Sequence, residues 1–404
     1  MKNNLFFHFK PKKKINAITK RHYAAAMLLV PILCCSCTAH LHTVTYTSCA
    51  AIENDLSITN SSTFPVFKKR INSSLSDYEL WCIALSGFYN CINHSYADRL
   101  DLHARQKNSF KKSANGLRNW WNITNRDELL TQISKCVNHG HSEEYNSYRL
   151  LKYRHPGPTS KTLVEVLPQA DPYKIEFADT FGQFIGVKSL MAWDYGRAIW
   201  LCRAGYYLGW LTGEETWLLI EQIAEKIGTH YTSWKDYGTN YLLGRIFWGG
   251  PELYTESRDT YVALLSAQGE WTNTRWFSGV KSPYKGKWQL TFTGKYYGTA
   301  IIHVRNDGSF HNERVQLSDG KNVFYNRIRG DIDAAGNITH GTILNRNKRR
   351  IIGAFKGKVE NAAGEGLFTV SGIDPENWTA RKEEPDNIDK RILILFQADS
   401  IDIH

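Results

Sequence analysis

Lys287-Trp288-Gln289-Leu290-Thr291-Phe292 alternates polar and apolar side chains, the pattern of a strand with one buried and one wet face. The alternation groups Trp288 with Leu290 and Phe292, which favours a core position for that tryptophan. Turn formers follow at short intervals: Gly294, Asn306-Asp307-Gly308, Asp319-Gly320, Gly330, Ala335-Gly336, Gly341, the stretch 345–350, Gly353, Gly357 and Gly364-Glu365-Gly366. Asn-Asp-Gly and Asp-Gly supply the positive φ angles that tight hairpins need. Short strands with such turns predict a β-rich domain over 284–382, an antiparallel β meander that closes into a small barrel or sandwich. Residues 383–404 form a charged segment, in which Ile392-Leu393-Ile394-Leu395-Phe396 reads as a last strand or a partner-binding segment.

Upstream of the alternating stretch the period is helical. Ser76-Asp77-Tyr78-Glu79 has the form of a capping box and precedes Leu80, Trp81, Ala84, Leu85 and Phe88 at helical spacing. The same start signal recurs at Thr124-Asn125-Arg126-Asp127 and at Thr212-Gly213-Glu214-Glu215. Residues 185–211 read as one helix, bulky on much of its circumference and therefore buried. Residues 234–248 read as another, and His155-Pro156-Gly157-Pro158 is a break. The fold class expected is α+β multidomain: a mainly α-helical domain over 76–275, then the β meander.

The first 23 residues carry seven basic side chains and no acid, and a 12-residue apolar run, 24–35, follows. About 20 apolar residues are needed to span a bilayer, so the run reads as the core of a secretory signal. Its end resembles a bacterial lipoprotein signal, with Ser36 before Cys37. That resemblance implies cleavage after residue 36, lipidation of Cys37, a tether over 37–75 rich in Ser, Thr and Asn, and a lipid-anchored or periplasmic location in the cell envelope. Loss of residues 1–36 lowers the formal charge from +11 to +4. The high pI thus belongs mostly to the leader, and no nucleic-acid partner is expected. Eight cysteines occur, at 34, 35, 37, 49, 82, 91, 136 and 202. An exported protein has the option of pairing some of them. Cys82 and Cys91, nine residues apart, cannot bridge within one continuous helix.

A series of short motifs runs through the helical region: Trp121-x-Ile123-x-x-Arg126-x-Glu128-Leu129-Leu130, Gly140-His141, Trp193-Asp194-x-x-Arg197, Arg203-x-Gly205-x-x-x-Gly209, Glu215-x-Trp217, Ser233-Trp234, and Gly238-x-x-Tyr241-x-x-Gly244-Arg245-x-x-Trp248. Seven in order resemble the bacterial family called domain of unknown function 1266, over roughly 78–250. The resemblance implies a helical fold and no established activity.

Asp194 and Arg197 lie three apart and share a helix face. Arg245 sits between Leu243 and Phe247 on an otherwise apolar helix, where a charge must be paired or reach water. Two readings compete. One is a buried Asp194–Arg245 or Asp194–Arg197 ion pair that specifies the fold; the other is a polar cleft of Asp194, Arg197 and Arg245, with His141 and Glu215 as further candidates, that holds an anionic or polar ligand. The first is preferred. His139-Gly140-His141-Ser142-Glu143-Glu144 offers metal-ligating groups, but Gly140 also reads as a helix stop with a histidine beside it; no metal and no cofactor are expected. Glu214-Glu215 resembles an acid/base pair, yet neighbours on one helix cannot face each other across a substrate. Gly205 and Gly209 suggest close helix packing. Arg346-Asn347-Lys348-Arg349-Arg350 is a basic cluster that reads as a solvated turn, or as a site for anionic lipid or polyanion. Tyr296, Tyr297 and Trp378 read as core or binding-face aromatics. No motif of a known catalytic class occurs. The expectation is a non-catalytic scaffold or binding protein whose partner is another envelope protein or a polyanionic surface. The alternatives are a hydrolase-like enzyme built on the polar cluster and an inhibitor or protective protein that binds another protein.

Overall fold

A computed structural model describes residues 75–157, 162–163, 169–277, 282–345, 350–370, 372, 374–383 and 391–392. The leader, Cys37, the tether, most of the basic cluster 346–350 and most of the apolar stretch 392–396 lie outside the described residues. The helices are α1 Asp77–Ala84, α2 Gly87–Ile92, α3 Lys107–Trp121, α4 Arg126–Asn138, α5 Gly140–Arg154, α6 Pro172–Ile185, α7 Met191–Leu208, α8 Gly213–His230, α9 Trp234–Gly249 and α10 Tyr254–Leu265. Among the described residues no helix is long and apolar enough to cross a membrane.

The capping boxes form at Ser76–Glu79 and Thr212–Glu215. At α4 the cap is Asn125 rather than Thr124; Thr124 instead donates its amide and hydroxyl to Glu128. The expected helix over 185–211 is shorter: Ile185 ends α6, Gly186–Lys188 is a 3-10 turn, and α7 runs over Met191–Leu208. Gly186 (φ 58°) and Ser189 (φ 50°) turn the chain between α6 and α7. Asn240 fixes that turn by donating to the Ser189 carbonyl at 2.8 Å. The apolar pattern concealed the break because the buried residues on either side continue the same run.

α7 is buried along nearly its whole length and is flanked by α3, α4, α5, α8 and α9. Its glycines have different jobs. A Cβ on Gly205 would fall 2.4 Å from Leu129, so this residue permits close packing. Gly209 (φ 76°) has open space around it and ends α7 in the left-handed conformation, as a C-terminal cap. Cys82, Cys91, Cys136 and Cys202 are all buried and free, so none is used in an expected pairing.

The β region is a closed antiparallel barrel of eight strands: β1 Gly286–Thr293, β2 Tyr297–Val304, β3 Ser309–Ser318, β4 Val323–Asp331, β5 Asn337–Asn345, β6 Ile351–Glu360, β7 Ala363–Val370 and β8 Glu376–Glu383. Each pairs with its neighbour, and β1 with β8 closes the cylinder, which removes free edges. Trp288, Leu290 and Phe292 point inward. Eight strands leave an interior about wide enough for side chains to fill. Trp378 is fully buried there and donates its indole N–H to the Lys356 carbonyl at 3.0 Å. Gly357 and Gly366 make room for it, since a Cβ on either would lie 2.5 and 2.7 Å from the indole.

The barrel is joined to the helices through charge. Arg305, in the β2–β3 hairpin, contacts Glu79 at 3.0 Å and Glu221 at 2.8 Å, with its guanidinium 4.9 Å above the Trp217 ring. Lys285 reaches Glu225 at 2.6 Å, and Asn306 donates to the Tyr78 hydroxyl at 2.6 Å. Glu79 thus closes the α1 cap with one oxygen and holds the barrel with the other. Burial raises the Glu221 carboxyl above its ordinary value, against the pull of Arg305 and Lys285. Removing one member of a buried pair strands its partners, at about 3–5 kcal/mol. Arg305→Met is therefore expected to lose about that much stability in urea unfolding; a loss within experimental error would contradict the arrangement.

Candidate functional site

α5 begins at Gly140, and the side chain of the preceding residue, His139, makes no capping bond. The cap arrives from α7. Asp194 accepts from the backbone N–H of His141 through Oδ1 (2.9 Å), and from the backbone N–H and hydroxyl of Ser142 through Oδ2 (2.8 and 2.7 Å). Gly140 allows this approach: its φ is 52°, and a Cβ there would fall 2.3 Å from the Asp194 carboxyl carbon. The Arg197 guanidinium then donates Nη2 to Asp194 Oδ1 at 2.6 Å. Four donors meet the two oxygens, which is about the capacity of a carboxylate. Burial works to raise the Asp194 carboxyl, but the charge of Arg197 and the backbone bond from His141 hold it below its ordinary value.

His141 Nδ1 lies 2.8 Å from Arg197 Nη2, 3.3 Å from Trp193 Nε1 and 3.4 Å from Asp194 Oδ1. Guanidinium and indole nitrogens can only donate, and both are nearer than the carboxylate. A proton on Nδ1 would oppose two N–H groups, so Nδ1 accepts and the imidazole carries its proton on Nε2. Burial first, and the Arg197 charge second, push His141 below its ordinary value of 6.5. Arg197 lies 4.6 Å from the Trp193 ring and 5.7 Å from Trp121. Trp248 stands edge-on to His141 at 6.4 Å. Asp194 and Arg197 are buried, whereas His141, Trp121 and Trp248 are half-buried. Among the described residues, Arg197 Nη1 and His141 Nε2 have no hydrogen-bond partner, and neither atom is sealed from solvent.

The structure thus brings three of the five candidates together and separates two. Arg245 does not meet Asp194; it pairs with Glu256 of α10 at 2.9 Å. The reason is local: Gly244 faces Trp193, where a Cβ would fall 2.3 Å away, and the next residue along the helix turns toward α10. Glu215 closes the Thr212 capping box of α8 and also takes a two-pronged contact from Arg126 at 2.8 and 3.0 Å. Burial opposes ionisation of Glu215, and the Arg126 bond outweighs it to keep its carboxyl below the ordinary value. The motif residue Arg203 is fully buried and gathers the carbonyls of Arg99, Leu100 and Asp101, together with Asn90 Oδ1. The metal-ligating candidates diverge: His139 faces Glu143, Glu144 pairs with Lys174, and His141 turns to Arg197. Among the described residues no group of three or more such side chains is placed to hold a metal ion. Sequence reasoning did not find Ser142, Trp121 and Trp248 as members of the site, although the two tryptophans stand in the motifs.

The arrangement of Trp121, Gly140-His141 and Trp193-Asp194-x-x-Arg197 falls inside a recognisable region. Residues 116–278 match the family described as protein of unknown function (DUF1266). The DUF1266 match starts and ends later than the 78–250 expected, and the barrel lies beyond it. The Escherichia coli K12 uncharacterized protein YbeR is 29% identical over 146 residues, 36% of this chain and 59% of its own length. The uncharacterized protein YbeU of the same strain is 30% identical over 128 residues, 32% of this chain and 54% of its own. The chain thus spans a little over half the length of these relatives. No solved structure matches it.

Asp194→Asn turns one carboxylate oxygen into an amide nitrogen, whose hydrogens face one of the two backbone N–H groups of α5, and leaves Arg197 uncompensated. It is expected to lose about 3–5 kcal/mol in urea unfolding, and Gly140→Ala about 1–3 kcal/mol from backbone strain alone. His141 adds a pH signature. The unfolded chain takes up its proton first, so this residue's contribution to stability is lost as pH falls through about 6.5. The loss levels off below the folded value. Subtracting the pH–stability curve of His141→Asn from that of the wild type is expected to isolate this component.

Proposed function

We propose that this protein is an exported, non-catalytic binding protein of the cell envelope, anchored through a lipid on Cys37. Its DUF1266 region would be the scaffold and its barrel the module shown to a partner. The observation that carries the non-catalytic reading is the saturation of Asp194. A carboxylate that serves a histidine base accepts that histidine's N–H. Here Asp194 already holds four donors, and His141 Nδ1 is itself an acceptor. Arg245 and Glu215, which a cleft enzyme would have recruited, serve α10 and α8 instead. The basic leader and the Ser36-Cys37 ending support export.

The barrel supports the binding role. Tyr297 and Ile301 on β2, and Val323 and Tyr325 on β4, are exposed on outward positions either side of β3. Exposed tyrosines among polar neighbours suit a protein partner. The test is photo-crosslinking in intact cells from positions 297 and 325, with position 358 on β6 as the control. A discrete adduct with an envelope protein from the first two positions, absent from the control, is expected. A cytosolic partner, or no adduct at any position, would overturn the reading.

A further inference from the structure

We infer that the outer face of the Asp194–Arg197–His141 cluster is a binding site for a small carboxylate that carries an apolar body. The inner half of the cluster is architecture: Asp194 is consumed by α5 and by Arg197 Nη2. The outer half is not. Arg197 is buried, yet its Nη1 has no protein acceptor among the described residues and is not wholly sealed from solvent. A guanidinium nitrogen in so buried a position completes its bonding only with water or with a ligand that reaches it. Beside it, His141 offers Nε2, which carries the proton because Nδ1 is held as an acceptor. Two side chains in direct contact thus each carry a donor without a protein acceptor among the described residues.

The charge selects among oxyanions. Arg197 is largely offset by Asp194, and His141 is neutral. That leaves little net charge but two donors, which suits a monovalent carboxylate better than a phosphate dianion. The walls select the rest of the molecule. Trp121, 5.7 Å from the guanidinium, and Trp248, 6.4 Å from the imidazole, are both half-buried and offer indole surface to an aromatic or aliphatic body. A carboxylate in this position would bridge Arg197 and His141 without disturbing the cap.

The inference deepens the binding-protein reading and rests on it only in requiring no turnover. The test uses the full chain and two probes of similar shape, benzoate and uncharged benzamide. Nitrogen-15 NMR of histidine-labelled protein reports on His141, and equilibrium dialysis with radiolabelled benzoate gives the affinity. Saturable movement of the His141 ring signals with benzoate, and none with benzamide, is expected. His141→Asn keeps an acceptor near the Nδ1 position and removes the Nε2 donor. It is expected to bind benzoate about tenfold or more weakly, as loss of one charge-assisted bond implies, with an unchanged melting temperature at pH 8. The idea fails if benzamide moves His141 equally, if benzoate leaves its signals unmoved at 20-fold the concentration of protein and above up to about 50 mM, or if a folded His141→Asn protein binds as the wild type does. Should that variant not fold, the benzoate-against-benzamide contrast at His141 in the wild type still decides. Failure here would remove the ligand and leave the crosslinking result for the barrel standing on its own.

Discussion

One carboxylate organises the helical region. Asp194 sits on a helix buried along nearly its whole length, ends the need for a cap on α5, and neutralises Arg197 within the same core. These tasks are coupled. The α5 amides can be satisfied only if Gly140 lets the carboxylate approach, and Arg197 can be buried only if the carboxylate is there. His141 follows from both, because the helix start that Asp194 caps also places its ring on Arg197 and Trp193. The Gly-His and Trp-Asp-x-x-Arg motifs, 52 residues apart, are therefore two halves of a single device.

The same economy joins the barrel to the helices. Glu79 caps its own helix and accepts Arg305 from the β2–β3 hairpin, so a local helix signal is reused as a contact between the two regions. Glu221 and Glu225 extend the contact to Arg305, Lys285 and Asn306. Charged contacts of this kind depend on geometry more than apolar ones do, and so they set the orientation of one region against the other.

Local chemistry was legible in the sequence. Capping boxes read correctly at Ser76 and Thr212 because both partners lie within four residues. The hairpins read correctly because Gly308, Gly320 and Gly336 adopt the positive φ that their turns demand. The Asp194–Arg197 pair followed from helical spacing. Choices made across the fold were not legible. Nothing local says that Arg245 takes Glu256, that Arg126 takes Glu215, or that α5 is capped from another helix, since each depends on which faces meet. The break between α6 and α7 was hidden for a related reason: tertiary bonds from Asn240 hold a turn that the apolar run did not announce.

The helical region depends on the capping of α5 by Asp194. Amide hydrogen exchange at His141 and Ser142 measures this most directly, because both N–H groups end on that carboxylate and neither has another acceptor within α5. Protection comparable to the interior of α7 is predicted, with opening only on global unfolding. Exchange at these two amides as fast as at an ordinary frayed helix start would contradict it.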